Sequence, residues 1–340
     1  MSQKFRLTAT RRNSNRGTAR AKCLSVASLA MALALNVHAE SVNLIFAGDI
    51  MLDDGPGRLI ARGGDPLAPF AAILNAADYR IGNLECPIAE SGTALDNKIF
   101  SFRAKPQVLP VLQGRFDAVS LANNHSGDYG HPAFLDTMLH LDKAGIAHFG
   151  GGRNLGEAHR PLWIERKGLK IAVLAYNEFK PRSFEAGANW PGIAWSEDDH
   201  VIADIRAARL AGADLVIPFM HWGWENEGKP SLRQQQLARK MIDEGAALVV
   251  GGHPHVTQGV EIYQGKPIIY SLGNFVFDGF DYAAGQRGWL LRLKLDKSGV
   301  IFWDTLAAQM DDDGTPHPVS GTFTPCGRGG EALVSECQNP

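Results

Sequence analysis

The chain has 340 residues, of which 45% are apolar, and a formal net charge of −2. This length and composition can bury a substantial core, either in two domains or in one large α/β domain. The absence of a strong positive charge argues against nonspecific binding to nucleic acid, and no nucleic-acid partner is expected.

The first 39 residues have the pattern of a secretory signal. Seven basic residues and no acidic residue accompany an apolar run at 23–35, and the small-residue site Val37-His38-Ala39 follows it. We predict cleavage near Ala39 and export to the periplasm or the extracellular space. The alternative is a membrane anchor, although about 13 apolar residues are too few for a comfortable bilayer span. Cleavage removes seven positive charges and lowers the formal net charge from −2 to −9.

Strand and helix patterns then alternate up to about residue 250. Short apolar runs predict strands at 42–46, 79–82, 116–121, 169–175, 214–219 and 247–250. Helical spacing of apolar residues occurs between them, at 69–77, 132–144, 198–210 and 231–244. This order predicts an α/β fold in which helices cover the sheets.

The remaining sequence predicts mostly antiparallel strands and then a tail. Runs at 256–263, 266–270, 274–277, 289–295 and 300–306 are joined by glycine turns. We expect one domain over residues 40–310 and an irregular, Gly- and Pro-rich tail over residues 311–340. Cys326 and Cys337 can close a loop in this tail through a disulfide, which leaves Cys86 as a buried free thiol.

Polar side chains follow the predicted strands, where an open α/β sheet binds its ligands. Each segment also has a structural interpretation as a turn, a helix cap or a packed aromatic pair. The pattern His253-Pro254-His255 needs a turn, because alternate residues of an extended chain face opposite ways. The five segments are Gly48-Asp49, Asn83-Leu84-Glu85, Asn123-Asn124-His125 with Asp128, His221-Trp222-Gly223, and Gly252-His253-Pro254-His255.

Together these segments predict a metal site. Carboxylate, amide and imidazole groups without any cysteine suit a hard or borderline divalent ion such as Mn²⁺, Fe²⁺ or Zn²⁺. One or two such ions would activate water and polarise an electrophilic oxygen. The candidate ligands are Asp49, Asn83, Glu85, Asn124, His221, His253 and His255.

The same motifs, followed by residues 270–275 (Tyr-Ser-Leu-Gly-Asn-Phe), resemble the CapA family of poly-γ-glutamate capsule biosynthesis proteins. That family is similar to the calcineurin-like metallophosphoesterases, and the resemblance covers residues 44–277. It implies a four-layer αββα sandwich with a metal centre at the strand ends. It also implies a catalytic role for His125 and Asp128. Lys98, Arg103 and Asn274 would bind substrate, although the two cations can equally be solvated surface charges.

The sequence also departs from the metallophosphoesterase pattern. The parent superfamily has Asp-x-His at the first motif, whereas position 51 is methionine here. An Asn-x-Glu arrangement at 83–85 replaces its bridging aspartate, so a second metal would be held differently or be absent.

We expect an exported metal-dependent hydrolase acting on an anionic polymer or a γ-glutamyl peptide. A membrane-bound capsule synthesis complex is a further expected partner. The alternatives are a non-catalytic polymer-binding or assembly subunit and a periplasmic phosphoesterase.

Overall fold

The computed structural model describes residues 40–96, 98–333 and 337 of the chain. The predicted signal at residues 1–39 lies outside the described residues. Within the described part, no helix is both long and apolar enough to cross a membrane.

Seven α-helices occur in the described part of the chain. The last of them begins after Ser231, which forms a capping box with Gln234. The side chain of each residue accepts a hydrogen bond from the backbone amide of the other. The predicted helices at 132–144, 198–210 and 231–244 are confirmed to within two residues at each end. The helices are α1 (Asp54–Ala61), α2 (Ala71–Asn75), α3 (Leu109–Leu112), α4 (Gly130–Ala144), α5 (Leu155–Ala158), α6 (Asp198–Leu210) and α7 (Leu232–Asp243).

Of the eighteen strands in the described part of the chain, eleven coincide with predicted runs and seven were not predicted. Seven of the eleven are longer than predicted. The first nine are β1 (Val42–Ile50), β2 (Tyr79–Leu84), β3 (Ala118–Ser120), β4 (Ala147–Phe149), β5 (Gly151–Gly152), β6 (Leu162–Arg166), β7 (Leu169–Asn177), β8 (Gly192–Ile193) and β9 (Leu215–His221). The others are β10 (Val249–Gly252), β11 (Thr257–Tyr263), β12 (Lys266–Leu272), β13 (Asn274–Val276), β14 (Arg287–Asp296), β15 (Gly299–Met310), β16 (Pro316–Pro318), β17 (Thr324–Arg328) and β18 (Glu331–Ala332).

Two large sheets form the centre of the fold. The first has the order β18-β17-β15-β14-β1-β2-β3-β4, with β13 beside β1 and β16 beside β15. The second has the order β11-β12-β10-β9-β7-β6, and β5 and β8 form a separate small ladder. Strands β1 to β4 are parallel to one another, as are β7, β9, β10 and β12. Their carboxyl ends therefore meet at one edge of each sheet.

The layers follow from the alternation of side chains along the strands. Leu44 and Phe46 of β1 pack between the two sheets, whereas Ile45 faces an outer core. Helices α2, α3 and α4 cover that outer face through residues such as Phe134. Helices α6 and α7 cover the second sheet through residues such as Leu237. The predicted four-layer αββα sandwich is confirmed.

The expectation of an irregular tail needs correction. Strands β16 and β17 pair with β15, and β18 pairs with β17, so the tail extends the first sheet. The long strand β15 would otherwise leave unpaired backbone groups at its edge, and these short strands cover them. Cys326 and Cys337 form the predicted disulfide. Cys86 is a buried free thiol, as expected.

Candidate metal centre

The five predicted segments converge where the carboxyl ends of the two sheets face each other. In the first sheet, Asp49 of β1 is in register with Asn83 of β2, and Glu85 directly follows β2. In the second sheet, His221 ends β9 in register with the last residue of β10, and His253 follows it. The sheets are in direct contact here, because the His253 amide donates to Asp49 Oδ2 over 3.2 Å.

Acidic and imidazole groups from these strand ends form three overlapping triads. In each triad, one ligand atom of every member lies within 4.8 Å of the others. All members are buried except one glutamate on an exposed loop. The triads are Glu85 with His221 and His253, Asp49 with Glu85 and His255, and Glu225 with His253 and His255.

Three buried polar atoms in this cluster test whether a metal fits. Glu85 Oε1 and both ring nitrogens of His253 are buried and make no hydrogen bond to any described residue. Each such unpaired atom costs about 1–3 kcal/mol. A divalent cation would satisfy the carboxylate oxygen and one imidazole nitrogen, and this nitrogen and oxygen donor set suits Zn²⁺, Fe²⁺ or Mn²⁺. The residues present therefore fit a metal.

The pKa values of the side chains in the cluster are shifted in directions that agree with metal binding. Burial raises the pKa of Asp49, and burial together with the Asp49 carboxylate raises that of Glu85 well above its usual range. Burial also lowers the pKa of His221 and His253 far below the usual value, with neighbouring histidines adding to the fall. The lowered pKa values favour the neutral imidazoles, which is the form that binds metals. A cation would offset the cost of ionising the carboxylates.

The predicted turn in His253-Pro254-His255 is present. His253 has φ 97° and His255 has φ 56°, so both residues lie in the left-handed region that non-glycine residues rarely occupy. The two rings are 5.8 Å apart between centroids. Such backbone conformations cost about 1–3 kcal/mol each and persist where surrounding contacts impose them. Here the strained turn lets both imidazoles join the same cluster.

Asn83 lies at the centre with its amide nitrogen towards Asp49 and His221. Its Nδ2 donates to Asp49 Oδ1 at 2.9 Å and lies 3.2 Å from His221 Nδ1. Its Oδ1 accepts a hydrogen bond from Asn123 Nδ2 at 3.0 Å, which sets the direction of the amide. In this arrangement the Asn83 amide orients Asp49 and His221, and its role as a ligand stays a prediction. Asn124 does reach the cluster, with its Oδ1 2.7 Å from His221 Nε2.

His125, Asp128 and Lys98 form a second buried group beside the cluster. His125 Nδ1 lies 2.7 Å from Asp128 Oδ2, while Lys98 forms an ion pair with the other oxygen of Asp128. Lys98 Nζ also donates to the carbonyl of Asn124 at 2.7 Å. Burial lowers the pKa of His125, and the Asp128 carboxylate opposes the fall. Lys98 is thus committed to Asp128 and is not a free cation for substrate.

Arg103, a second predicted substrate-binding residue, has partners within the protein instead. The Arg103 guanidinium donates to the carbonyls of Ser91 and Gly92 at 3.1 and 3.2 Å and lies 4.1 Å above the Tyr129 ring. These contacts fix the loop that precedes it and occupy the guanidinium. The prediction that Arg103 binds substrate gains no support from this placement.

Asn274 is fully buried and supports a histidine. Its Nδ2 donates to the Gly285 carbonyl at 2.8 Å, which turns its Oδ1 towards His255 Nδ1 at 2.9 Å. His255 Nδ1 is consequently the donor, and the lone pair is on Nε2, available to a metal. These contacts give Asn274 a positioning role towards His255, and substrate binding by Asn274 stays a prediction.

Two kinds of residue at the site escaped the sequence analysis. Glu225 joins the third triad, and its signal in the sequence is its place two residues after the His221-Trp222-Gly223 segment. Two aromatic rings, Phe179 and Phe280, lie 4.0 Å from His253 and 5.2 Å from His255 between centroids. Neither phenylalanine has a local pattern that sets it apart from a core residue.

The αββα sandwich with donors at the strand ends defines a protein of metallophosphoesterase fold. A 5′-nucleotidase precursor from Thermus thermophilus has a similar structure, with a TM-score of 0.51 and 12% sequence identity. The match covers 82% of this chain and 56% of that one, and at this identity it concerns the fold alone.

The particular family follows from the sequence comparison. The chain belongs to the family described as bacterial capsule synthesis protein PGA_cap, whose model matches residues 43–279. PGA biosynthesis protein CapA of Bacillus subtilis (strain 168) is 33% identical over 290 residues, covering 81% of this chain and 73% of the relative. Capsule biosynthesis protein CapA of Bacillus anthracis is 31% identical over 304 residues, covering 84% and 71%. The resemblance stated from the motifs is confirmed.

Proposed function

We propose that this chain is an exported, metal-dependent hydrolase that cuts γ-glutamyl amide bonds in an anionic polymer of the poly-γ-glutamate type. The observation that carries the metal dependence is the set of buried, unpaired donor atoms on Glu85 and His253. The names of the relatives support the polymer, and the basic and apolar pattern of residues 1–39 supports export.

In this proposal the metal ligands come from the strand ends. Asp49, Glu85, His221, His253 and His255 would hold the ion or ions. A divalent metal bound there would polarise the scissile carbonyl and make water more acidic. The rings of Phe179 and Phe280 against the two histidines would restrict the access of bulk water.

His125 is suited to moving the proton. Its Nδ1 is held by Asp128, and its Nε2 makes no hydrogen bond within the described residues. With its lowered pKa, neutral His125 can take a proton from the attacking water at Nε2 and then deliver it to the leaving amine nitrogen. Asp128 orients the ring and stabilises the transient imidazolium, while Lys98 balances the buried charge of Asp128.

A groove beside the metal centre offers room for the polymer. It has a volume of about 870 Å³, and its lining includes Asn226 and Val256, the chain neighbours of Glu225 and His255. Lys229 and Arg287 line it with exposed cationic side chains, and Glu227 adds one negative charge. Its volume lies within the range of known ligand sites. Carboxylates of an extended polyglutamate could bind these two cations, whereas Lys98 and Arg103 are engaged elsewhere.

The test is cleavage of poly-γ-glutamate by purified protein loaded in turn with Mn²⁺, Fe²⁺ and Zn²⁺. Size-exclusion chromatography measures chain length, and an amine reagent counts new amino termini. We expect metal-dependent cleavage that falls about 10²- to 10⁴-fold in His125→Ala. The exposed-site variant Glu165→Gln is the matched control and should retain full activity.

Metal binding without cleavage of any γ-glutamyl substrate would refute the hydrolase. That result would favour a polymer-binding subunit of a membrane-bound synthesis complex. Turnover of phosphate esters alone would instead favour a phosphoesterase.

A further inference from the structure

Glu225 lies on the loop between β9 and α7 and faces the metal cluster from its solvent side. One of its carboxylate oxygens lies within 4.8 Å of a ring nitrogen of both His253 and His255. Glu225 is exposed, whereas both histidines are buried. Its two partners belong to different deeper triads, since His253 is grouped with His221 and His255 with Asp49. Glu225 therefore reaches across both deeper groups of donors.

The loop that carries Glu225 is attached to the cluster on both sides of this residue. The amide of Asn226 donates to the Pro254 carbonyl at 2.8 Å, between the two histidines. On the other side, the Trp224 ring packs edge-on against Phe179, with 5.9 Å between centroids. Phe179 in turn lies against His253. These contacts hold the Glu225 backbone beside the cluster, so its position is not that of an unrestrained surface residue.

An independent observation shows that the histidine facing Glu225 lacks a partner. His253 is fully buried, and both of its ring nitrogens are without a hydrogen bond among the described residues. A neutral imidazole carries one lone pair, so a metal can take one nitrogen and leaves the other N–H to a different acceptor. Within the described part of the chain, His255 Nε2 also makes no hydrogen bond, and its Nδ1 is held by Asn274. Two imidazoles and a carboxylate form a donor set known for divalent ions with open positions.

We propose that Glu225 is a metal ligand that the loop at 222–230 brings to the solvent side of the cluster, so that metal binding and loop order are coupled. The ligand class is a divalent cation of the Zn²⁺, Fe²⁺ or Mn²⁺ type. This inference rests on the metal dependence proposed above, but not on the nature of the polymer. Loss of Glu225 would weaken the metal site and remove the added restraint that a bound metal places on the loop, while the deeper donors and the backbone contacts remain.

The experiment compares the metal-stripped full chain with its Glu225→Gln and Glu227→Gln variants. Calorimetric titration with Zn²⁺ measures affinity and stoichiometry, and amide hydrogen exchange measures the protection of residues 222–230. Glu227 is the matched control, because it is an exposed glutamate on the same loop that belongs to none of the triads found among the described residues. Circular dichroism verifies that all three proteins are folded.

We expect Zn²⁺ to bind Glu225→Gln at least about 10-fold more weakly than the other two proteins. Zn²⁺ should also slow exchange in the loop of the wild type and of Glu227→Gln, but not in Glu225→Gln. Equal Zn²⁺ affinity and equal loop protection in all three proteins would overturn the inference. A wild type that binds no metal would overturn both proposals. A Glu225-dependent affinity without polymer cleavage would overturn only the hydrolase.

Discussion

Replacing Glu85 by glutamine tests the metal centre most directly. Glu85 is fully buried, belongs to two of the three triads, and has one oxygen without a partner in the described structure. Burial and the nearby Asp49 carboxylate raise its pKa, so the metal-free protein holds it in the protonated form more readily than usual. Glutamine closely matches that neutral form in shape. Glu85→Gln should therefore remove a metal ligand without opening a cavity.

The expected rise in melting temperature follows from the linkage between metal binding and folding. A ligand at 100 times its dissociation constant stabilises the native state by about 2.7 kcal/mol. For a domain of this size, 1 kcal/mol corresponds to roughly 2 °C in melting temperature. Saturating Zn²⁺ should raise the melting temperature of the wild type by about 5 °C over its value in chelator. In Glu85→Gln the rise should vanish, and the melting temperature in chelator should equal or exceed that of the wild type.

Differential scanning calorimetry with chelator and with Zn²⁺ measures both quantities. Glu165→Gln, an exposed position on β6, is the control and should keep the full rise. The reasoning fails if Glu85→Gln keeps the rise of the wild type. It also fails if the variant melts several degrees lower in chelator, because Glu85 would then stabilise the protein without a metal.

Two further predictions concern residues around the centre, and a third concerns His148 on β4. Asn274→Ala frees His255 Nδ1 and should weaken Zn²⁺ binding about 10- to 100-fold in a calorimetric titration; unchanged affinity would contradict the positioning role. Lys98→Met leaves the Asp128 carboxylate buried without its ion pair and should lower the free energy of unfolding by roughly 3 kcal/mol in urea. A change below about 1 kcal/mol would show that the pair is not needed. Burial lowers the pKa of His148 below 6.5, so the unfolded chain takes up this proton more readily than the folded one. Stability should therefore fall as pH drops through 6.5, and His148→Gln should flatten the decline in melting temperature between about pH 7.5 and 5.5. Equal slopes for both proteins would exclude His148 as a source of the decline.

Much of the fold was predictable because apolar residues, which become buried, recur along the chain in the spacing of a helix or in the short runs of a strand. The predicted helix at 198–210 has the same limits as α6, and the apolar runs locate the central strands of both sheets. The tail was not predictable in this way, since β16 to β18 are short, contain proline and glycine, and depend on the edge of β15 for their pairing. Helix α1 was also missed, because its sequence Asp-Gly-Pro-Gly at 54–57 is poor in helix-forming residues.

The sequence by itself determined which polar residues lie at the strand ends, because position along a parallel strand also sets the edge of the sheet. It determined the turn in His253-Pro254-His255 for a similarly local reason. Only the tertiary structure decided what each of these groups does. Asn83 turns its nitrogen inwards because Asn123, 40 residues away in the chain, donates to its oxygen. Glu225 reaches the cluster because backbone contacts hold its loop there. The direction of a donor or acceptor depends on partners that are distant in sequence, and no local pattern encodes them.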